Sequence, residues 1–151
     1  MVQNKRVLAY ISSRLNHSGH LTLLRALRNE LGQDWRIIIL ETPQADIPNQ
    51  HERDNYDDFE VLRLIDTSQM STGFALVDID PEIVYIQDEF FLQNCMEVLY
   101  AKHCTQAKWK VVSCLCENIL DKYVRPEYEY LYKELDLLLS YAEFSYKRAI
   151  E

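Results

Sequence analysis

The chain is poor in the residues that mark several large functional classes. It has three glycines in 151 residues. A G-x-G-x-x-G dinucleotide fingerprint needs three of them close together, for a tight turn, close phosphate approach and helix packing. The first polar loop, SSRLNHSGH, holds only Gly19, and no G-K-[ST] phosphate loop occurs anywhere. This argues against a nicotinamide or flavin oxidoreductase, and no cofactor is expected. Basic charge is also scarce. Lys and Arg number 16 against 24 Asp and Glu, a formal net charge of -8, whereas nucleic-acid binders carry a basic stripe and membrane-surface binders a polybasic cluster. No apolar run approaches the roughly 20 residues of a spanning helix. The four cysteines, Cys95, Cys104, Cys114 and Cys116, lack the paired spacing of a zinc site. No metal is expected, and they read as buried reduced thiols that pack as small hydrophobes.

With 48% hydrophobic and 26% charged residues, the chain has the apolar surface for a core and reads as one globular domain over 1–151. The N-terminus, MVQNKRVLAYISS, turns polar too soon for a signal peptide. It reads as a first strand in a cytoplasmic protein. Continuous apolar runs alternate with helical patterns. Strands are expected at Lys5–Ser13, Trp35–Thr42, Val61–Ile65, Ile83–Gln87, Lys110–Cys116 and Leu137–Tyr141. Asn16–His20 reads as a turn. It is followed by a helix carrying Leu21, Leu24, Leu27 and Leu31 on one face and ending at Gly32. Further helices are expected over Ser71–Ile79, Phe90–Cys104 and Glu127–Glu134. Of the ten tyrosines, Tyr128 and Tyr132 fall with Leu131 and Leu135 at the spacing of a packed face.

This rhythm predicts an α/β fold, a Rossmann-like doubly wound parallel sheet of about six strands in the order 3-2-1-4-5-6. Ligands of such sheets bind beyond the carboxyl ends of the strands, where the order reverses between strands 1 and 4. Ser12–His20 and Gln87–Phe91 are placed there. Each candidate has two readings. The loop before the first helix can hold an anion on backbone N–H groups, or Ser18 can simply cap the helix. His17 and His20 can act as acid or base, or be solvated turn residues, and His20 is taken as the latter. Gln87, Asp88 and Glu89 can bind hydroxyl groups, or Asp88 can cap the next helix with Glu89 complementing its start. The same pair of alternatives applies to Glu117 and Asn118 after strand 5 and to Glu143 after strand 6.

The order of elements resembles the N-terminal domain of GT-B glycosyltransferases, in particular the family 4 group of retaining enzymes. RVLAYIS is similar to that group's KILxVS-like first strand, and NHSGHLTLLRALRNELGQDWRI to its glycine-rich loop and following helix. FEVLRLI resembles its third strand, PEIVYIQ its PDIVHxH strand, KVVSCLCEN its PVVxTxHD strand, and LDLLLSYAE its aDaviavSe strand. The resemblance runs over essentially the whole chain. Four positions depart from it. The glycine pair is reduced to Gly19, the first histidine position of the fourth strand holds Tyr85, the fifth-strand histidine is Cys116, and the sixth-strand serine is Ala142.

The resemblance implies an acceptor-binding half that is inactive alone. Most contacts to the nucleotide-sugar donor would come from a second Rossmann-like domain not contained in these 151 residues. The acceptor would be a carbohydrate or a lipid-linked one, in surface polysaccharide or glycolipid synthesis, at the inner membrane face. The residues implied are His17 and Asp88 for catalysis, with Asn16, Ser18, Gly19, Gln87 and Glu117 for binding. The alternative is a stand-alone Rossmann-like module for binding or assembly, without catalysis. Homo-oligomerisation is left open.

Overall fold

A computed structural model describes residues 5–12, 18–42, 56–64, 71–87, 92–115 and 126–140. In chain order the elements are β1 (Arg6–Ser12), α1 (Ser18–Leu31), β2 (Trp35–Glu41), β3 (Glu60–Arg63), α2 (Ser71–Ile79), β4 (Ile83–Ile86), α3 (Leu92–Thr105), β5 (Lys110–Leu115), α4 (Pro126–Glu134) and β6 (Leu137–Ser140). The strands form one six-stranded sheet, ordered β3-β2-β1-β4-β5-β6, and every neighbouring pair is parallel. This is the expected Rossmann-like α/β fold.

The strands are apolar throughout because both faces are covered, and side chains alternate between the faces. Ala9, Ile11, Ile38, Leu40, Val84, Ile86 and Val111 meet Leu76 of α2, Cys95, Val98 and Leu99 of α3, and Tyr128 and Leu131 of α4. Leu8, Tyr10, Ile37, Ile39 and Tyr85 point the other way, onto Leu24 of α1 and its partly buried neighbours Leu21, Leu27 and Leu31. The helical leucine stripe is therefore the inner face of α1. Tyr128 and Leu131 are buried, with Tyr132 and Leu135 packed beside them, so the tyrosine-rich segment is a core-facing helix.

Every helix follows a strand's carboxyl end in sequence and leads to the amino end of the next strand. Three of them stop on a left-handed residue: Gly32 (φ 71°) after α1, Asp80 (φ 46°) after α2 and Gln106 (φ 53°) after α3. Gly32 and Asp80 each return an N–H to the carbonyl four residues back, Arg28 and Leu76. After α3, the Ala107 N–H reaches Lys102 and that of Gln106 reaches His103, the paired bonds of a Schellman end. The indole of Trp109, buried at the amino end, donates to Asp80 Oδ1 at 3.2 Å. No helix among the described residues is long and apolar enough to cross a membrane.

Candidate site at the carboxyl ends of β1 and β4

β1 pairs with β2 on one side and β4 on the other, so the sheet order reverses beside β1, as expected. The ladder continues just past the strands. Gln87 N–H donates to Ile11 O and Thr42 N–H to Ser12 O, both at 3.0 Å. These bonds fix Ser12, Thr42 and Gln87 side by side at the rim, where Ser12 is 1% exposed, Thr42 3% and Gln87 3%.

A run of hydrogen bonds crosses this rim. On the α1 side, His20 Nδ1 lies 3.1 Å from Ser12 Oγ. In one tautomer Nδ1 accepts the hydroxyl proton and Nε2 carries the N–H; in the other Nδ1–H donates. The ring sits edge-on to Tyr10, with centroids 6.3 Å apart, and Tyr10 stacks on Tyr85 at 5.3 Å. Ser12 passes the connection to Thr42 through its backbone carbonyl. On the α3 side, Asn94 Nδ2 donates to Thr42 Oγ1 at 2.9 Å. The string His20–Ser12–Thr42–Asn94 thus joins α1, β1, β2 and α3, passing over the sheet from one helical layer to the other. Strand alternation explains it. Ser12 continues the Leu8–Tyr10 row toward α1, and Thr42 continues the Ile38–Leu40 row toward α3.

The other buried polar groups lie in the same half of the molecule. Ser113 Oγ–H donates to Ile86 O at 3.2 Å. Glu97, 8% exposed, accepts the Thr72 N–H at 3.2 Å and so caps the start of α2 from α3. Among the described residues, Ser12, Thr42, Gln87 and Asn94 supply uncharged donors and acceptors and His20 an imidazole. This set can orient hydroxyl or amide groups.

The expected site residues divide into two groups. Gln87 is at the rim and buried, and Gly19 lies exposed in the first turn of α1. Ser18 opens α1. Asn16, His17, Asp88 and Glu117, like the side chain of Ser18, lie outside the described residues. Cys116 and Glu143 do as well.

Two expectations are corrected. Ser18–His20 is helical, not a turn, and His20 is 8% exposed, because its ring is drawn in against Ser12 and Tyr10. Cys104, expected to be buried, is exposed, whereas Cys95 and Cys114 are buried; it sits in the last turn of α3, off the face that carries Cys95, Val98 and Leu99. Thr42 and Asn94 escaped the sequence because a contact 52 residues apart leaves no local pattern. Among the described residues no group of three or more His, Cys, Asp or Glu could hold a metal ion.

Compared with known proteins, the chain matches no family model, and no curated protein is similar enough to count as a relative. What it does must be argued from the rim.

A concavity lies at the opposite end of the sheet. It encloses about 220 Å³ between Arg28, Gly32, Trp35, Arg36, Phe59 and Glu60. Its arginines are already engaged. Arg36 forms a two-bond pair with Glu60 at 2.6 and 2.8 Å. Arg28 donates to Asp58 O at 3.2 Å and lies over the Phe59 ring at 4.8 Å. That engagement makes it a packed and paired surface.

Proposed function

We propose that the chain is the acceptor-binding, N-terminal domain of a nucleotide-sugar-dependent glycosyltransferase of GT-B type, working in surface polysaccharide or glycolipid synthesis. One observation carries the proposal: the neutral hydrogen-bonding rim at the point where the sheet order reverses. Buried polar groups cost free energy unless they are partnered, and these lie where ligands of such sheets bind. The resemblance of six ordered segments to the family 4 group supports the same reading, and so does the lack of a glycine-rich nucleotide loop, which leaves donor binding to another domain or chain.

On this reading the chain alone is inactive, because transfer requires donor and acceptor held in line across a cleft and one wall cannot do that. The donor would be a nucleotide sugar and the acceptor a carbohydrate or lipid-linked carbohydrate, met in the cytoplasm at the inner membrane face. His17 and Asp88 would face the acceptor's reacting hydroxyl, with Asn16, Ser18, Gly19, Gln87 and Glu117 around it.

The test is nucleoside diphosphate release from a panel of nucleotide sugars. It compares the 151-residue chain with the longest product of its reading frame. Release is expected from the longer product only. Acceptor-dependent release by the 151 residues alone would overturn the half-site reading, and a longer product that consumes no nucleotide sugar would overturn the glycosyltransferase reading. Replacing His17 and Asp88 together by Ala is expected to weaken acceptor binding and leave folding intact. A stability loss of about 1 kcal/mol or more with unchanged binding would instead make them helix-capping residues.

A further inference from the structure

We infer that β6 is the seam of a symmetric dimer, in which a second copy of the chain adds its own β6 antiparallel and the two sheets join into one. This goes beyond the sugar reading and does not rest on it. The two edges of the sheet are finished differently. β3, at one edge, reads EVLR. Its Glu60 accepts Arg36 at 2.6 and 2.8 Å, and its Arg63 donates to Glu41 at 3.0 Å. Charges on an edge strand guard it against pairing with another strand. β6, at the other edge, reads LLLS and carries no charge and no proline. Leu137 and Leu139 pair with Val112 and Cys114 of β5, so both point to the α1 side of the sheet. They are 51% and 39% exposed, although the strands of parallel sheets are ordinarily covered on both faces.

A bare strand edge accepts many strands; the flank of α4 selects a copy of this chain. Tyr128, Leu131, Tyr132 and Leu135 form the inward side of α4. Glu134 lies on the flank toward α3, where it meets His103 at 3.2 Å. At 3.6 residues per turn, Glu129 falls on the opposite flank, toward the free edge beyond β6, with Lys133 one turn further on. Their side chains are 70% and 68% exposed, and they pair with each other at 2.6 Å, an exposed contact that costs little to exchange. Antiparallel addition about a two-fold axis keeps both copies of α4 on one face of the joined sheet, running in opposite directions. At the usual helix separation of about 8–10 Å, Glu129 of each copy then approaches Lys133 of the other. The same axis sets Leu137 and Leu139 of both copies in one row on the opposite face, with cross-strand neighbours about 5 Å apart. A strand of other sequence would gain the backbone bonds but neither the matched charges nor the leucine row.

The experiment is sedimentation equilibrium of the 151-residue chain over a range of concentrations, with circular dichroism as the check on folding. A reversible monomer–dimer equilibrium is expected. A seam of two short strands and two helix flanks falls at the small end of specific interfaces, below about 1,200 Å², so the dimer should dissociate on dilution. Leu139→Lys sets two lysines in the seam and should weaken association by about tenfold or more. Leu62→Lys is its control. Leu62 is 37% exposed, as Leu139 is 39%, but it lies on β3 at the guarded edge, and its replacement should leave association as it was. Glu129→Lys and Lys133→Glu should each weaken self-association. An equimolar mixture of these two variants should associate about fivefold more tightly than either alone. Both variants lack the pair within their own α4, and mixing does not restore it, so the recovery reports charges that meet between copies. A chain that stays monomeric at about 1 mM overturns the inference. Equal weakening by Leu62→Lys and Leu139→Lys also overturns it, as does a mixture that associates no better than its components. Should Leu139→Lys fail to fold, the mixture decides, because Glu129 and Lys133 are exposed.

Discussion

Among the described residues, the polar side chains at the amino end of the sheet are mostly charged and solvated, and those at the carboxyl end are mostly neutral and buried. Arg6 and Glu82 pair with side chains 54% and 47% exposed, and Arg36 and Glu60 with 51% and 41%. Ser12, Thr42 and Gln87, at the other end, are 1–3% exposed. Chain direction accounts for part of this contrast. The helices finish near the amino end, where Arg28, Lys102, His103 and Lys133 in their last turns complement the carbonyl ends of the dipoles. Charges that stay solvated cost little to place and return little. Neutral groups can be buried if they bond one another, and the rim does this. The exceptions show the same rule. Arg63–Glu41 is charged at the carboxyl end but lies on the edge strand with Arg63 64% exposed, and buried Glu97 has a backbone N–H to accept.

The largest expected effects come from breaking the buried end. Ser12→Ala removes the hydroxyl beside His20, and Glu97→Ala removes the acceptor for the Thr72 N–H. Each is expected to cost about 1–3 kcal/mol in urea unfolding, the range for stranding a buried polar partner. A double-mutant cycle of Ser12→Ala with His20→Leu should show coupling of about 0.5 kcal/mol or more. Additive effects would mean that the string is a set of separate contacts.

The contrast between the two ends also separates what could be read from the residues from what could not. The strand order was legible because parallel strands buried on both faces are continuously apolar, and WRIIILET and IVYI have no polar alternation to suggest otherwise. Boundaries moved by a residue or two; β3 was expected at Val61–Ile65 and lies at Glu60–Arg63. The reversal point followed from the order, which is why Gln87 could be placed at the carboxyl end of β4. His20 was misjudged because Gly19 and its polar neighbours imitate a turn, whereas the Ser12 hydroxyl that holds His20 comes from the preceding strand. Thr42–Asn94 is a long-range pair, and only the assembled sheet shows it.

Asp136 should be the strongest charged contributor at the amino end, and acid is the way to expose it. It accepts Lys110 Nζ at 2.8 Å, the Val111 N–H at 2.9 Å and Lys102 Nζ at 3.2 Å. Desolvation is the largest single influence and pushes its carboxyl up. The Lys110, Val111 and Lys102 interactions together outweigh it and hold the pKa at about 2, below the ordinary 3.8. The folded-state value is depressed, so the stabilisation is complete above the unfolded value near 4 and disappears as pH falls from there through about 2. Asp136→Asn is expected to cost about 1–2 kcal/mol at pH 7, an allowance made for its partial exposure. The deficit should shrink toward zero near pH 2. A deficit that does not change with pH would assign the loss to packing.

The exposed pairs should matter less. Arg36→Ala is expected to cost about 0.2–1 kcal/mol in low salt and less at 1 M NaCl. A loss equal to that of Ser12→Ala would erase the distinction between the two ends.

The last tests concern the helix ends themselves. Gly32 has open space where a side chain would go and a φ of 71°, so Gly32→Ala should cost about 1 kcal/mol through backbone conformation alone. Gln106, in the same conformation at φ 53°, gives the reverse experiment. Gln106→Gly should gain about 0.5 kcal/mol, because relief of the left-handed strain slightly exceeds the added freedom of the unfolded chain. Asp80→Gly should not gain, although Asp80 has φ 46°, because its carboxylate also serves the buried Trp109 indole. A stabilised Asp80→Gly variant would show that strain outweighs this bond. The amino end would then be held by backbone geometry more than by its polar side chains.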